Sequence, residues 1–188
     1  MTLEQLAKQG KRNSMTRAAS ISSQMGQIKK QSIKDAFVDL QHWRHRSELV
    51  YSHNAVDYID DSGAVSPVAT WFTMENINAP LVWITGCGEK CLDYEDLVTM
   101  VHRYVKYLIF VGDDMTIVND TFGDVLNDRI LHAKTLDEAV IMASELASPS
   151  EKVLFSPSTD VDDSFVDSSQ RGDMFQNIVR NLNILYGK

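Results

Sequence analysis

The chain has 188 residues, of which 44% are hydrophobic and 23% charged, a balance typical of one compact globular unit or of one domain with a short appendage. No apolar run approaches the roughly 20 residues that a membrane-spanning helix needs. The polar N-terminus also lacks the apolar core of a secretion signal. The sequence therefore argues against an integral membrane or secreted protein and predicts a cytoplasmic one.

The formal net charge of −8 is unevenly distributed. Residues 1–46 contain nine Lys/Arg and three Asp/Glu, a balance of +6, so that the rest of the chain carries −14. This asymmetry predicts a basic N-terminal arm in front of an acidic body. Because the basic residues are not interleaved with aromatic ones, nucleic acid is not an expected partner.

Two helices are predicted at the start of the chain. Asn13 or Ser14 is a suitable N-cap for a helix to about Ile28, in which apolar residues recur every three or four positions. A second helix is expected from Ser32 to about Gln41. The basic arm is thus predicted to be helical.

A short hairpin is predicted next. The β-prone runs Leu49–Tyr51 and Val56–Ile59 are separated by His53-Asn54, a turn-forming pair. Farther along, Thr135 followed three residues later by Glu138 is the capping-box start of a helix.

The remaining chain alternates between strand and helix patterns. The strands, which read as buried on both faces, are Leu81–Thr85, Tyr107–Val111, Ile130–His132 and Val153–Phe155, and the helices lie at about 66–76, 93–104, 115–125, 136–147 and 169–186. This alternation predicts an α/β fold with a Rossmann-like, mostly parallel sheet flanked by helices over residues 41–188. A short helical arm over residues 1–40 would precede it.

Ligands of open α/β sheets bind beyond the carboxyl ends of the strands. Asp60 and Asp61 end a predicted strand, where a carboxylate pair can bind Mg²⁺ or ribose hydroxyls, or can form an ordinary turn. Lys90 follows the turn Gly86-Cys87-Gly88 and is either part of an anion site or a solvated lysine. These residues are the candidates for a binding site.

Several common catalytic and metal motifs are missing from the sequence. Gly86-Cys87-Gly88 lacks the third glycine of a dinucleotide-binding loop, so a tight turn is the favoured interpretation. Cys87 and Cys91 fall short of a four-ligand zinc pattern, and the five histidines show no metal-binding spacing. The phosphate-gripping P-loop pattern is not matched. We therefore predict no metal site and no catalytic residue acting in this chain in isolation.

Six short segments, in order along the chain, match the motifs of one enzyme family. They are Gly10-Lys11-Arg12-Asn13, His45-Arg46-x-Glu48, the run from Tyr58 to Ala64, the run from Gly86 to Lys90, Leu154-Phe155-Ser156-Pro157, and Arg171-Gly172-Asp173-Met174-Phe175. Together they resemble the Mur ligases of peptidoglycan synthesis, and most closely the C-terminal domain of the members that add D-glutamate. The resemblance runs from about Leu6 to Leu185.

The resemblance implies the last part of a three-domain, ATP-dependent amide ligase. Residues 1–40 would correspond to the end of the central domain, and residues 41–188 to the C-terminal Rossmann-like domain. The family's UDP-sugar domain and its P-loop ATPase domain would lie before residue 1. ATP and Mg²⁺ are the family's cofactors, whereas neither is assigned to this chain by its own residues.

The resemblance also implies specific roles for residues of the site. Asn13 matches a residue that contacts the nucleotide, Arg46 one that reaches its phosphates, and Asp61 one that binds its ribose, while His45 accompanies Arg46. A guanidinium suits phosphate and a carboxylate suits a diol. Lys90 matches a residue on the amino-acid side of the family's site.

Other positions on the amino-acid side depart from the family. Gly63, Val65, Val161 and Ser168 stand where the D-glutamate ligases have a lysine, a threonine, a serine and an aromatic residue. Losing a cation and two hydroxyl groups weakens a site for an acidic ligand, because each charge-assisted hydrogen bond contributes roughly 1.5–3 kcal/mol.

The function predicted from the sequence is a non-autonomous or degenerate Mur-ligase-like domain that binds a nucleotide or a partner protein. The alternative is the C-terminal part of an ATP-dependent UDP-N-acetylmuramoyl-L-alanine:amino-acid ligase, with D-glutamate as the amino acid in the family. In that case the missing ligase domains would come from a further segment or from a second chain.

Overall fold

The computed structural model describes residues 44–88 and 93–186, with side chains up to residue 182. The helical arm predicted over residues 1–40 lies outside this range, as do the candidate site residues Asn13 and Lys90. Those expectations remain predictions.

Within the described residues, six strands form one sheet in the order β1-β2-β6-β3-β4-β5. The strands are β1 (Glu48–His53), β2 (Val56–Asp60), β3 (Leu81–Gly86), β4 (Val105–Val111), β5 (Ile130–Ala133) and β6 (Lys152–Phe155). All neighbouring strands pair in parallel except β1, which runs antiparallel to β2. The helices are α1 (Pro67–Ile77), α2 (Val98–Tyr104), α3 (Thr116–Leu126), α4 (Leu136–Leu146) and α5 (Ser168–Tyr186). The mostly parallel α/β fold predicted from the sequence is confirmed.

The central strands show why their sequences are continuously apolar. Every residue of β3 is buried, with Val82 and Ile84 facing one side of the sheet and Leu81 and Trp83 the other. Helices α4 and α5 cover the first side, and helices α1, α2 and α3 cover the second. Strand β5 differs from its prediction, because it lies at the edge of the sheet and His132 is exposed.

The β1–β2 hairpin forms one residue later than predicted. Asn54 and Ala55 make the turn, and both have left-handed backbones, with φ of 51° and 61°. Two central residues with positive φ give the turn whose twist matches that of the flanking strands. Alanine is not a residue that signals such a conformation.

Four of the five described helices begin within one residue of the start predicted from the sequence, and the fifth does not. The Thr135 hydroxyl accepts a hydrogen bond from the backbone N–H of Glu138, so the predicted cap of α4 is confirmed. The predicted helix over 93–104 instead begins as a 3₁₀ turn at Glu95–Leu97, and α2 has only seven residues. The Ser66 hydroxyl caps α1, with Pro67 in its first turn.

Strand β4 follows α2 without a loop, which places its start two residues before the prediction. Lys106, near that start, is exposed and interrupts the apolar pattern.

Among the described helices, none combines the length and the apolar composition needed to cross a lipid bilayer.

Candidate functional site

The carboxyl edge of the sheet joins the segments that follow β2 and β6. The backbone N–H of Asp61 donates to the carbonyl of Phe155, and the Ser156 hydroxyl donates to Oδ2 of Asp61 at 2.8 Å. These contacts form because β6 lies beside β2 in the sheet, although about 95 residues separate them in sequence. The loop after β2, which contains Asp61, therefore lies at the carboxyl edge of the sheet, where a ligand is predicted to bind.

A tight turn over residues 44–47, here called the Arg46 turn, lies against this loop. The residues on both sides of Arg46 have left-handed backbones, with φ of 65° at His45 and 50° at Ser47. The carbonyl of His45 accepts a hydrogen bond from the N–H of Gly63 at 3.0 Å. The Arg46 side chain crosses Gly63, with Nη1 donating to the Gly63 carbonyl at 3.1 Å and Nε lying 3.1 Å from Oδ1 of Asp61.

The absence of a side chain at Gly63 makes this crossing possible. A Cβ at that position would lie 2.8 Å from Cδ of Arg46 and 3.1 Å from the carbonyl oxygen of His45. The space beside Asp61 is thus filled by Arg46, whose side chain is 14% exposed. Arg46 reaches the surface at this point, while Asp61 lies fully buried beneath it.

The Asp61 carboxylate is held on both oxygens. Oδ1 is bound by Arg46 and by the backbone N–H of Ser47 at 3.2 Å, and Oδ2 by the Ser156 hydroxyl. Burial raises the pKa of Asp61 to about 6, against the opposing effects of Arg46 and of hydrogen bonds from Ser156, Thr73 and Ser47. In this arrangement, its direct neighbours are protein groups, and Arg46 separates it from solvent.

A second buried carboxylate orients His45. Nδ1 of the ring lies 2.7 Å from Oδ2 of Asp60, and His45 is 3% exposed. The hydrogen bond to Asp60 raises the pKa of His45 above its ordinary value, although burial acts in the opposite direction. Nε2 makes no hydrogen bond to any described residue and lies 3.6 Å from Oδ1 of Asp173.

Gln176 joins the groups around His45, and the four residues His45, Glu48, Asp60 and Gln176 are here called the Gln176 network. The amide nitrogen of Gln176 donates to Oδ2 of Asp60 at 2.8 Å and to Oε2 of Glu48 at 3.1 Å. It also lies 3.3 Å from Nδ1 of the His45 ring. One ligand atom from each of His45, Glu48 and Asp60 lies within 4.8 Å of the others, as in a metal site. The amide donor lies among them, so this set fits a hydrogen-bond network and not a cation.

Arg171 connects three loops at the same edge. Its guanidinium is fully buried, and it donates to the carbonyls of Ser62 at 2.9 Å, Thr159 at 3.0 Å, Cys87 at 3.1 Å and Asp160 at 3.3 Å. Burial lowers the pKa of Arg171 from its ordinary value. The loops after β2, β3 and β6 are therefore fixed by one side chain from α5.

Gly86, the last residue of β3, and Gly88 form a tight turn, as the sequence predicted. Gly86 has a φ of 87°, and a Cβ there would lie 2.3 Å from the carbonyl oxygen of Val111. A Cβ at Gly88 would lie 2.1 Å from the carbonyl oxygen of Asp160. A cavity of about 170 Å³ opens beside this turn and is lined by Gly86, Gly88, Tyr94, Phe110, Val111, Gly112, Asp113, Asp114, Ile117 and Val118.

The structure thus brings together three of the predicted site residues, His45, Arg46 and Asp61. It adds two residues for which the sequence predicts no role, Gln176 and Arg171. Arg171 belongs to a motif that was noted, but neither residue has a local pattern that reveals its contacts.

Two solved structures have a similar fold. The folylpolyglutamate synthase of Mycobacterium tuberculosis, complexed with ADP, gives a TM-score of 0.52 over 70% of this chain and 32% of that one. The UDP-N-acetylmuramate–alanine ligase of Thermotoga maritima gives 0.50 over 73% of this chain and 30% of that one. Both are 14% identical to it in sequence, so they support the fold alone. No protein-family model matches the chain.

Sequence relatives identify the family. Three UDP-N-acetylmuramoylalanine–D-glutamate ligases match most of this chain: that of Christiangramia forsetii with 37% identity over 183 residues, that of Porphyromonas gingivalis with 34% over 165, and that of Bacteroides fragilis with 32% over 184. Together with the fold, these matches show that the chain belongs to the Mur ligase family. Within that family, these three relatives are D-glutamate ligases.

The matches are partial on the side of the relatives. They cover 97%, 88% and 97% of this chain, but only 41%, 36% and 41% of the three ligases. The chain therefore spans about two fifths of the length of the curated relatives that it matches.

Proposed function

We propose that this chain is the C-terminal, nucleotide-binding part of a Mur-type amide ligase, located in the cytoplasm, and that it does not form an amide bond by itself. The observation that carries the proposal is the placement of Arg46 at the carboxyl edge of the sheet, with its side chain partly exposed and bound to the fully buried Asp61. The ADP complex of a folylpolyglutamate synthase with a similar fold supports a nucleotide as the ligand.

Arg46 has the chemistry that the proposal requires. A guanidinium remains charged at every physiological pH and offers a planar set of N–H donors that matches phosphate oxygens. Its Nε is anchored on Asp61 and its Nη1 on the Gly63 carbonyl, so the group is ordered before a ligand arrives. Preorganisation of this kind lowers the entropic cost of binding.

The chain is proposed not to act alone because amide-bond formation by this family needs residues that it lacks. The 188 residues contain no P-loop pattern, and the resemblance places the P-loop and the Mg²⁺ ligands of the family outside the part that this chain matches. The chain would therefore act with those domains, whether they come from one polypeptide or from a partner protein.

Isothermal titration with ADP tests the nucleotide site. Because a charge-assisted hydrogen bond contributes about 1.5–3 kcal/mol, Arg46→Met is expected to weaken ADP binding by roughly 10-fold or more. Arg103→Met is the matched control, because Arg103 is exposed on α2 and lies over the Tyr104 ring. Failure of the unmodified chain to bind ADP, or equal affinity in Arg46→Met, would refute the proposal.

The amino-acid side is tested in the same experiment. Arg46 fills the space beside Gly63, the position at which the resemblance implies a lysine, and Val65 at this edge is half-exposed and apolar. We therefore expect no heat of binding when D-glutamate is added to the chain with ADP. Tight binding of D-glutamate would show that its site has been kept.

A second candidate function is a complete ligase assembled from this chain and a further segment. It is favoured by matches to D-glutamate ligases that extend over 97% of this chain at up to 37% identity. Reading the DNA that precedes the first codon tests it directly. An in-frame segment encoding G-x-x-G-K-[S/T] would support this function. Its absence would mean that the missing domains come from a separate chain or that no ligase is formed.

A further inference from the structure

The Arg46 turn has a backbone conformation that must be held by its surroundings. His45 and Ser47 both have positive φ, and neither is a glycine. Such residues persist only when neighbouring groups fix them. Arg46, between them, can direct its guanidinium to one place only while both neighbours stay in this conformation.

Side chains from other elements fix the two residues. The backbone N–H of His45 donates to Oε2 of Glu48 at 3.2 Å, and the His45 ring is bound to Asp60. The backbone N–H of Ser47 donates to Oδ1 of Asp61. The turn is therefore held on carboxylates, which repel one another unless donors lie between them.

Gln176 on α5 supplies donors at the critical place. Its amide nitrogen binds both Asp60 and Glu48, and its carbonyl oxygen accepts from Nη2 of Arg180 at 3.0 Å. That last bond fixes the orientation of the amide, so the NH₂ group faces the two carboxylates. Gln176 is 3% exposed, which leaves the amide no room to turn outward.

We propose that Gln176 is a positioning residue for Arg46, which holds the Arg46 turn in its left-handed conformation and so aims the Arg46 guanidinium at the phosphates of a bound nucleotide. This inference rests on the proposed function for its ligand. Removal of the amide takes away the donor that Asp60 and Glu48 share, and leaves these carboxylates, among the described residues, only their separate contacts with His45 and Ser62. The turn then relaxes, and Nε of Arg46 leaves Asp61.

The test uses the full chain and reads the position of Arg46 directly. In Gln176→Met, which keeps a long side chain but removes the amide, we expect hydrogen exchange at the Arg46 Nε–H, followed by NMR, to become roughly 10-fold faster. Val179→Ala is the matched control, because it removes buried volume from the next turn of α5 and carries no polar group. Its Arg46 Nε–H should exchange as in the unmodified chain.

A second variant covers the case in which Gln176→Met fails to fold. Arg180 is exposed, so Arg180→Met is compatible with folding, yet it removes the bond that orients the Gln176 amide. We expect it to speed the Arg46 Nε–H exchange in the same direction by a smaller factor. Unchanged exchange in every variant that folds would overturn the proposal.

Titration with ADP separates positioning from general stability. Gln176→Met should weaken ADP binding by roughly 5-fold or more in the unmodified chain and cause no further loss when Arg46→Met is already present. An equal loss in both backgrounds would mean that Gln176 does not act through Arg46. If the unmodified chain binds no ADP, the proposed function fails, whereas the Nε–H exchange still decides the role of Gln176.

Discussion

Two buried charged residues at the carboxyl edge of the sheet have different kinds of partner. Asp61 pairs with an opposite charge, because Arg46 lies 3.1 Å from it, whereas the Arg171 guanidinium meets four main-chain carbonyls. These carbonyls accept hydrogen bonds from both Nη atoms without adding a second buried charge, whereas Nε has no partner among the described residues. Because all four acceptors are main-chain carbonyls, Arg171 can bind these loops independently of their side chains.

His45 gives the fold a predictable dependence on pH. The hydrogen bond to Asp60 raises the pKa of His45 in the folded state above the ordinary 6.5. A group of this kind contributes stability that is fully present below its unfolded pKa and is lost as the pH rises through its folded pKa. The groups facing the ring are Asp60, Asp173, Arg44 and Gln176.

Comparison of the unmodified chain with His45→Asn isolates the contribution of His45 to the free energy of unfolding. Asparagine tolerates a positive φ, and the contribution of Asp61, whose pKa is raised to about 6, cancels in the difference to a first approximation. Urea unfolding from about pH 5.5 to 8.5 should show this difference shrinking as the pH rises. A difference that stays constant or grows would contradict the assigned pKa direction.

The sequence marks His45, Arg46 and Asp61 as candidate site residues through segments that resemble Mur ligase motifs, and the structure brings the three together, while their roles in binding stay predictions. Gln176 could not be found in this way, since its partners Glu48 and Asp60 lie 128 and 116 residues earlier. A glutamine on a helix carries no local sign that it is buried against carboxylates. Long-range polar contacts of this kind require the fold to be known.

At the scale of elements, the sequence was informative where both faces of a strand are buried. Strands β3 and β6 were placed correctly from their apolar runs, because helices cover both sides of the sheet there. The edge strand β5 and the short helix α2 were described less well. Partial exposure weakens the apolar pattern at β5, and a 3₁₀ turn replaces the first part of the helix predicted before β4.

Helix α5 is constrained at its start by the site that it closes. Gly172 belongs to its first turns, and a Cβ there would lie 2.2 Å from Nδ1 of His45 and 2.3 Å from Oγ of Ser62. The helix can approach this closely only because the residue has no side chain. The same approach brings Arg171 and Gln176 to their partners.

Two glycine-to-alanine substitutions in helices should have opposite effects. In a helix interior, alanine is favoured over glycine by about 0.5–1 kcal/mol, so Gly123→Ala on α3, with no atom within 4 Å of the new Cβ, should stabilise the chain by about that amount. Gly172→Ala should destabilise it by roughly 2 kcal/mol or more, because His45 and Ser62 must move. Urea unfolding measures both, and stabilisation by Gly172→Ala would contradict the close packing.

For the molecule as a whole, strand order explains how the site is assembled. Strand β6 is inserted between β2 and β3, so the loops that end all three strands become neighbours at one edge. The last helix then returns across this edge and binds each loop through Arg171. The site is therefore completed only when the C-terminal part of the described chain has folded onto the earlier strands.

This architecture predicts that residues 41–188 fold without residues 1–40. Among the described residues, the buried members of both hydrophobic cores lie between Val56 and Leu182, and the Gln176 network lies between His45 and Gln176. A shortened chain of residues 41–188 should unfold in urea in one cooperative transition, with a midpoint close to that of the full chain. Its backbone amide NMR spectrum should overlay that of residues 44–88 and 93–186 in the full chain. Noncooperative unfolding, or loss of the Arg46 Nε–H signal in the shortened chain, would show instead that the first 40 residues are needed to form the site.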